Sequence, residues 1–400
     1  MPIRRCCRHT TKPVIPMIYR ILQNRANSLA CAWAINSLAY SIVYPFLPIY
    51  LHSERGYPMA TVGLIFPLMG GSIIVSPLLA GYLTDRIGRQ FMMQFGQTAR
   101  AAMFLLLAGM AFFHAPFWLF AAALTVNAGI GTFFQIGSDA FLSDISTPAE
   151  RPRIFSRIRT NIGWALGPML GAFLMKAPFW MLFILTAALC LFGAWYTGKC
   201  CSVRRGAPSA PVSRAVPGNF TVRRLFTDSR LTGTLGCSFI LFLLTSQLYS
   251  VMSVYATGVV GLSSNALGLI YSLNGAAIIV FQMPMTRLLE HFRLSFPARL
   301  VFGTALYTAG YFSLGFAHNA WMMAASVFII TLGEAAVMPS LYSGVSSLAP
   351  SGGTGRYMAS LELTRGVGYA AGPYFGAMLF QAYSPQPLLL WGLLSLFGCG

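Results

Sequence analysis

Apolar stretches of about 20 residues recur along nearly the whole chain, and they constrain its fold more than any other feature. A helix of about 20 apolar residues crosses the ~30 Å hydrocarbon core of a bilayer. Such stretches are predicted at 27–51, 59–80, 92–113, 117–141, 156–175, 178–197, 233–256, 264–284, 297–317, 320–343 and 358–381, and one more begins at 387 and is cut short at Gly400. We therefore expect an all-α membrane protein with twelve transmembrane helices, numbered here in chain order.

Charged residues are too few for a water-facing protein of this length. They make up 9% of the chain, whereas hydrophobic residues make up 56%. A soluble domain usually carries about 25% charged residues. Because the deficit extends along nearly the whole sequence, we expect one membrane-embedded body in contact with the lipid bilayer instead of a soluble domain with an anchor.

The formal net charge of +18 could suggest nucleic-acid binding, but the basic residues follow membrane topology. If the amino terminus is cytoplasmic, all of the 27 Lys and Arg residues except Arg55, Arg100 and Lys176 fall in cytoplasmic segments or at their helix ends. This is the bias of the positive-inside rule. We expect a multi-pass protein of the plasma (bacterial inner) membrane, with both termini cytoplasmic and no nucleic-acid partner.

A polar, proline-rich and basic stretch near the middle of the chain divides the helices into two sets of six. It has the composition of a flexible cytoplasmic linker. The predicted organisation is a cytoplasmic segment at 1–25, a six-helix bundle at 26–197, the linker at 198–231 and a second six-helix bundle at 232–400. An even number of helices per half gives both halves the same orientation, so we expect pseudo-symmetry about the membrane normal.

Predicted helices 5 and 11 contain the same glycine and proline pattern, which indicates an internal duplication. The first copy has Gly163, Gly167, Pro168 and Gly171, and the second has Gly368, Gly372, Pro373 and Gly376, each 205 residues later. Arg151 and Arg356, which precede the two helices, keep this offset. Glycines four residues apart let a neighbouring helix approach closely, so we expect both helices to pack tightly.

A short polar segment joins predicted helices 2 and 3, and it carries a recognisable signature. It reads Gly81-Tyr-Leu-Thr-Asp85-Arg86-Ile-Gly88-Arg89-Gln90, which predicts a tight cytoplasmic turn, and helix 4 is followed by Asp144 and Arg151. These segments strongly resemble loop signatures of the major facilitator superfamily. The helix 5 pattern resembles the antiporter motif of its drug-efflux branch, and the twelve-helix drug:proton antiporters are the nearest match.

The resemblance implies a gate at the cytoplasmic side. It implies that Asp85 caps the amino-terminal end of helix 11 and that Arg89 pairs with Asp144, which locks the gate in the outward-facing state. Arg86 is interpreted as a topology charge. The second-half counterpart of the loop, at 286–293, lacks both glycines, so the gate should depend more on the first half.

Charges within the membrane are expensive, at roughly 2.5 to 3.5 kcal/mol each on insertion scales, and they mark candidate functional residues. Glu334 in helix 10 lies near the predicted midplane, and Asp139 lies in helix 4. The resemblance assigns helices 1, 4, 7 and 10 to the central cavity, so these two acids are the proton-coupling candidates. The alternative for Asp139 is a structural ion pair with Arg157 or Arg159.

Two other sets of charges have structural interpretations. Arg100 in helix 3 is expected to pair with a neighbouring helix or to extend towards the membrane surface. Glu362 and Arg365, three residues apart in helix 11, are expected to neutralise each other near the gate.

The predicted cavity helices also carry aromatic and uncharged polar side chains suited to an amphipathic or weakly cationic solute. The candidates are Asn36, Tyr40, Tyr44, Phe134, Gln135, Gln247, Tyr249 and Tyr342. The alternative for the aromatic residues is packing or anchoring at the membrane interface. Asn36 and Asn127 stand near positions where many relatives carry an acid and a base, so proton coupling cannot be transferred from those positions.

The leading functional hypothesis is proton-coupled efflux of drug-like or amphipathic compounds by a monomer. No Gly-x-x-x-x-Gly-Lys-Ser/Thr loop occurs, so we expect a proton gradient as the energy source, without a cofactor or a metal. The alternative is export or uptake of a specific metabolite, such as a sugar, an amino acid or a metallophore, on the same fold. A membrane enzyme or a non-transporting receptor is disfavoured because the five histidines are scattered.

Overall fold

The computed structural model describes residues 25–145, 162–201, 228–350 and 354–396, and these residues are helical apart from short connections. The principal helices are α1 (Arg25–Val43), α2 (Ile65–Ile87, preceded by Met59–Gly63), α3 (Arg89–Phe112), α4 (Phe117–Ile145), α5 (Ile162–Leu174), α6 (Trp180–Cys200), α7 (Ser229–Gln247), α8 (Ser264–His291), α9 (Phe296–Leu314), α10 (Ala320–Leu348), α11 (Thr354–Tyr383) and α12 (Pro387–Leu396). They correspond one for one to the predicted helices.

The length and surface of these helices suit a bilayer. Within the described ranges, eight helical stretches are long and apolar enough to cross a membrane. Two of them, Ala26–Glu54 and Ser229–Val259, extend α1 and α7 through short irregular turns. Large apolar side chains such as Trp118, Phe173 and Trp321 are exposed on the outside of the protein. An outer surface of this kind is stable in contact with lipid and not in contact with water.

The loop between α2 and α3 is much shorter than the predicted turn at 81–90. Helix α2 continues to Ile87, α3 begins at Arg89, and Gly88 alone makes the turn, with φ of +107°. Glycine adopts such angles without the strain that a Cβ atom causes. The prediction was wrong because hydropathy reports where the hydrocarbon ends, whereas the backbone hydrogen bonds of α2 continue beyond that point.

Two ends of the molecule can be named from their connections. The Gly88 end contains the α2–α3 turn and the start of α7, and the His52 end contains the connection between α1 and α2 at 52–58. At the Gly88 end, Asp228 caps α7 by accepting hydrogen bonds from the backbone N–H groups of Arg230 and Leu231. Its carboxylate also accepts a hydrogen bond of 2.7 Å from the Tyr357 hydroxyl. These bonds, led by that of Tyr357, lower the pKa of Asp228.

The internal duplication is visible in the contacts of the repeated glycines. Gly163, Gly167 and Gly171 of α5 lie against Ser37, Ser41 and Phe46 of the first helix, and Gly368, Gly372 and Gly376 of α11 lie against Phe242, Ser246 and Val251 of the seventh. Each partner of the second set is 205 residues after its counterpart in the first. The π-helical turns Tyr50–Glu54 and Tyr255–Val259 keep the same offset. The two six-helix bundles are therefore pseudo-symmetric down to individual contacts.

Among the described residues, the close contacts between the two halves are concentrated towards the His52 end. Pairs of small residues bring α2 against α11, at Gly63 with Ala377 and Gly70 with Ala370, and α5 against α8, at Ala172 with Gly268 and Ala165 with Gly275. These contacts lie in the half of α2, α8 and α11 nearer the His52 end, and along most of the described length of α5. Towards the other end, α2 exposes Val75, Leu78 and Tyr82, with Leu78 80% exposed. The part of the chain that the structure describes is thus open at the Gly88 end.

A pair of Gly→Ala substitutions on α11 tests the glycine packing. In Gly372→Ala the new methyl group would meet the Ser246 hydroxyl and lie 2.6 Å from the Leu243 carbonyl oxygen. Overpacking of this kind costs about 1–3 kcal/mol, so we expect a lower melting temperature in detergent. Gly366→Ala is the control, because no atom lies within 4 Å of its added Cβ. The packing argument fails if the two variants melt at the same temperature.

Candidate functional site

A chain of aromatic rings passes from the first half of the protein into the second. Tyr40 and Tyr44 of the first helix stack at 4.8 Å between ring centroids, and Tyr40 lies 5.8 Å from Trp164 of α5. Trp164 lies 4.8 Å from Tyr249, which follows α7, and Tyr249 stacks on Tyr271 of α8 at 5.2 Å. The Trp164–Tyr249 contact crosses between the halves, so the rings form part of the surface at which they meet.

A hydrogen-bonded network extends from the last of these rings to α10. The Tyr249 hydroxyl donates to Asn274 Oδ1 at 2.9 Å, and Asn274 Nδ2 donates to Thr331 Oγ1 at 2.8 Å. The side chain of Glu334 also interacts with Asn274. Asn274 is almost fully buried, and its amide connects a tyrosine of the seventh helix with two side chains of α10.

Glu334 is isolated from positive charge in the middle of the membrane. It is the central residue of α10, about 21 Å from either helix end at 1.5 Å per residue. It is half-buried, and within the described ranges no Lys, Arg or His forms an ion pair with it. Because its partner Asn274 is neutral, the carboxylate charge is poorly compensated there. Proton binding would remove that charge, which makes Glu334 chemically suited to carry a proton.

Other predicted cavity residues have varied surroundings. Asn36 and Gln135 are half-buried, as is the second acid candidate Asp139 on α4, whose suggested partners Arg157 and Arg159 lie outside the described residues. Tyr40, Tyr44 and Tyr249 belong to the aromatic chain at the meeting surface, whereas Asn36 contacts Gln97 and Arg100 inside the first half. Their roles as cavity residues stay predictions.

Two of the predicted cavity residues are packing residues instead. Gln247 is fully buried, and its Nε2 donates to the carbonyl oxygens of Gly372 at 2.7 Å and Leu243 at 3.0 Å. Phe134 is fully buried against Trp33, with their ring centroids 5.5 Å apart. Both predictions were wrong because a helix at the cavity also has faces that pack inside its own bundle.

Tyr342 belongs to a third cluster, nearer the Gly88 end. Its hydroxyl donates to Glu362 at 2.9 Å, and Arg365 Nε donates to the same carboxylate at 2.8 Å. The predicted Glu362–Arg365 pair is therefore formed within α11. Tyr369, one turn further along α11, lies within electrostatic range of both Arg365 and Glu334.

At the Gly88 end, Arg89 and Asp144 form the expected ion pair, with 2.5 Å between Arg89 Nε and Asp144 Oδ2. The pair joins α3 to α4 inside one half, so it does not itself connect the two halves. Its expected role in locking the outward-facing state stays a prediction. Its side chains are 14% and 22% exposed, so the pair fixes the position of the turn within the first half.

The other residues of the loop signature are solvent-facing in this conformation. Asp85 is exposed and makes no hydrogen bond or ion pair with the residues that the structure describes, and Gly81 has open space beside it. Arg86 is exposed and lies 4.5 Å from the Tyr82 ring centroid. Arg151 lies outside the described residues. Capping of helix α11 by Asp85 stays a prediction for the state in which the Gly88 end is closed.

Sequence reasoning missed two residues at the centre of this region. Trp164 stands inside the glycine motif of α5, where the glycines drew attention to packing. Asn274 is a polar residue inside an apolar span of helix 8, a helix that was not assigned to the cavity. An amide in such a span is a usable signal, because buried amides require hydrogen-bond partners.

Two six-helix halves with a central polar and aromatic surface between them define a membrane transporter of small molecules, and not an enzyme. The chain belongs to the Major Facilitator Superfamily, whose family model matches residues 29–373. This confirms the resemblance inferred from the loop signature and the glycine motif.

Curated relatives extend over nearly the same length. The chain is 27% identical to the multidrug resistance protein MdtH of Edwardsiella ictaluri over 368 residues, which cover 90% of this chain and 88% of MdtH. It is 24% identical to the MFS-type transporter YttB of Bacillus subtilis over 362 residues, which cover 89% and 88% of the two chains.

Solved structures share the fold at low sequence identity. A crystal structure of the peptide transporter POT matches with a TM-score of 0.75 and 16% identity over 94% of this chain and 92% of that one. The nucleoside transporter NupG matches with 0.75 and 13% identity over 94% and 97%. A bacterial homologue of the lysosomal transporter Spinster, in an inward-facing and unoccupied conformation, matches with 0.72 and 15% identity over 94% and 91%. The predicted twelve-helix fold is confirmed.

The Arg89–Asp144 pair can be tested by exchanging its charges. Arg89→Asp or Asp144→Arg alone leaves two like charges adjacent at the turn, and we expect transport in vesicles to fall severalfold. The double variant restores an attractive pair and should recover most of the activity. If the double variant is as inactive as the single ones, the residues act separately and the pair does not position the turn.

Proposed function

We propose that the chain is a secondary active transporter that exports drug-like or amphipathic compounds in exchange for protons. Glu334 is the observation that carries this proposal, because a mid-membrane carboxyl without an opposite charge beside it is suited to bind and release a proton. Asp139 of α4 is a second candidate for proton coupling. The name of MdtH, a multidrug resistance protein, supports efflux of drug-like compounds.

The orientation of the protein follows from its basic residues. The protein lies in the inner membrane with its Gly88 end facing the cytoplasm, and both termini lie on the cytoplasmic side. The structure then corresponds to an inward-facing state, into which a compound enters from the cytoplasm or the inner leaflet. The transporter works as a monomer, and its energy source is the proton gradient without a cofactor.

Export requires the His52 end to open, so the contacts there must be broken and reformed in each cycle. The Ala60 backbone N–H, at the start of the second helix, donates to Gln381 Oε1 of α11 at 3.0 Å. The His52 ring lies edge-on to Phe380, with 6.1 Å between centroids. Neither contact is an ion pair, which suits a seal that opens reversibly.

Proton binding and gate closure are linked through the charge on Glu334. When the carboxyl is charged, closing the Gly88 end would trap an uncompensated charge in a dry cavity, unless a cationic group of the substrate neutralises it. A proton bound to Glu334 also neutralises this charge. Substrate and proton are therefore alternative partners of Glu334, and this gives exchange between them.

A second candidate is transport of one specific metabolite on the same scaffold. The peptide transporter POT and the nucleoside transporter NupG have this fold. The network of Tyr249, Asn274 and Thr331 offers hydrogen-bonding groups that a polar metabolite could use.

Glu334→Gln tests the coupling. The amide keeps the shape of the side chain but cannot take up a proton, so we expect transport in inverted vesicles to lose its dependence on an imposed pH gradient. Glu290→Gln is the matched control, because Glu290 is exposed at the carboxyl-terminal end of α8. This variant should retain the dependence on the pH gradient. Proton coupling through Glu334 is wrong if the gradient still drives export in Glu334→Gln.

Asp85→Asn tests the proposed contact with the start of α11. The amide removes the negative charge that would face the positive end of α11, an interaction worth about 0.3–1 kcal/mol, and this corresponds to a shift of up to about fivefold in a two-state equilibrium towards the open Gly88 end. Spin labels on α2 and α11 would report the shift as a smaller short-distance population, and turnover should fall while membrane insertion is unchanged. Normal turnover with an unchanged distance distribution would rule out this role of Asp85.

A further inference from the structure

The first half of the protein contains a buried positive charge without an acidic partner. Arg100 of α3 is only 4% exposed. One of its terminal nitrogens donates to Asn36 Oδ1 at 2.9 Å, and Gln97 Nε2 donates to the same oxygen at 3.2 Å. Arg100 Nε is buried and has no acceptor. No carboxylate in the described ranges forms an ion pair with this guanidinium.

The contrast with other arginines shows how unusual this arrangement is. Arg89 is paired with Asp144, and Arg365 is paired with Glu362, although both arginines are more exposed than Arg100. An amide oxygen provides a dipole but no net charge, so Asn36 leaves the guanidinium uncompensated in the membrane. The expected pairing of Arg100 with a neighbouring helix is confirmed, but it satisfies the hydrogen bond and not the charge.

Arg100 lies next to the aromatic chain that joins the halves. Its guanidinium carbon is 5.8 Å from the centroid of Tyr40, the ring that leads through Trp164 to Tyr249. On its other side is Gly131 of α4, where an added Cβ would lie 3.7 Å from the guanidinium carbon and Nε. A glycine at this position keeps side-chain atoms away from a guanidinium whose Nε has no acceptor.

We propose that the region between the two halves, beside the aromatic chain, takes an amphipathic zwitterion whose carboxylate pairs with Arg100. Its aromatic body lies against Tyr40 and Trp164, and its cationic group lies towards Glu334. This inference rests on the proposed function and specifies its substrate class.

The charges of the two halves favour a zwitterion over simpler ions. A lipophilic cation would match Glu334 and leave Arg100 uncompensated, whereas a simple anion would match Arg100 and leave Glu334 without a cation. An anion would also favour proton binding at Glu334, which gives co-transport and not exchange. A zwitterion compensates both groups, and its cationic part still competes with the proton.

The test compares two dyes that differ by one charge: a rhodamine with a free carboxyl group and its methyl ester. Equilibrium binding to the purified full-length protein in nanodiscs, measured by fluorescence anisotropy at neutral pH, should favour the free carboxylate by about tenfold, as expected for a charge-assisted hydrogen bond. Arg100→Gln should abolish this preference by weakening only the carboxylate dye. Asn36→Asp, which places a carboxylate beside Arg100, should have the same effect while retaining the arginine.

Two further variants separate charge from folding. Arg100→Lys keeps the positive charge and should keep part of the preference. Lys176→Gln removes an exposed lysine outside the bundle and should leave both affinities unchanged. The inference is overturned if the wild-type protein binds both dyes equally or fails to bind the carboxylate dye. It is also overturned if Asn36→Asp retains the full preference, which decides the matter even where Arg100→Gln fails to fold.

Binding at equilibrium does not depend on a pH gradient, so this result is separate from that of the coupling experiment. A carboxylate preference combined with gradient-independent transport would refute proton exchange and leave the Arg100 site in place. Gradient-driven transport without a carboxylate preference would refute the Arg100 site alone.

Discussion

Contact between glycines and neighbouring helix backbones is the interaction on which the rest of this structure depends. In lipid, apolar side chains gain little from leaving one apolar environment for another, so helices associate through close packing. The repeated glycines let α5 lie on the first helix and α11 on the seventh, and these contacts hold the helices of each half together. Among the described residues, the halves meet mainly towards the His52 end, partly through small residues, and such contacts can separate without disrupting either bundle.

The twelve helices and the duplication were predicted from strong patterns in the sequence, and the Arg89–Asp144 pair was predicted from the resemblance to a family. Span length follows from bilayer thickness, and an offset shared by several positions is difficult to obtain by chance. It was harder to predict which side chains of a helix pack inside its own bundle and which lie between the two halves. Gln247 and Asn274 are both amides in apolar spans, yet the first bonds to backbone carbonyls within its bundle and the second joins the polar network. Which of these occurs depends on the neighbouring helix, which hydropathy does not specify.

The two mid-membrane charges show the same limit. Sequence alone identified Glu334 from its depth, and the structure adds that its neighbour is an amide and not a base. Arg100 was interpreted as structural because a paired arginine is common in a peripheral helix. In the structure the partner of Arg100 is Asn36 and not an acid, so the guanidinium has a hydrogen-bond acceptor but its positive charge is not neutralised. Opposite uncompensated charges in the two halves also mean that closing the cavity around the wrong ligand costs free energy.

The π-helical turns at Tyr50 and Tyr255 have a consequence for the origin of the molecule. A π turn holds one residue more than regular helical hydrogen bonding would, and such turns occur frequently at functional sites. Finding the irregularity at equivalent places in both halves indicates that it was present in a six-helix ancestor before its gene duplicated and fused. The His52 ends of the first and seventh helices are then an inherited matched pair, and an ancestral dimer of the six-helix unit would have carried two identical turns at that end.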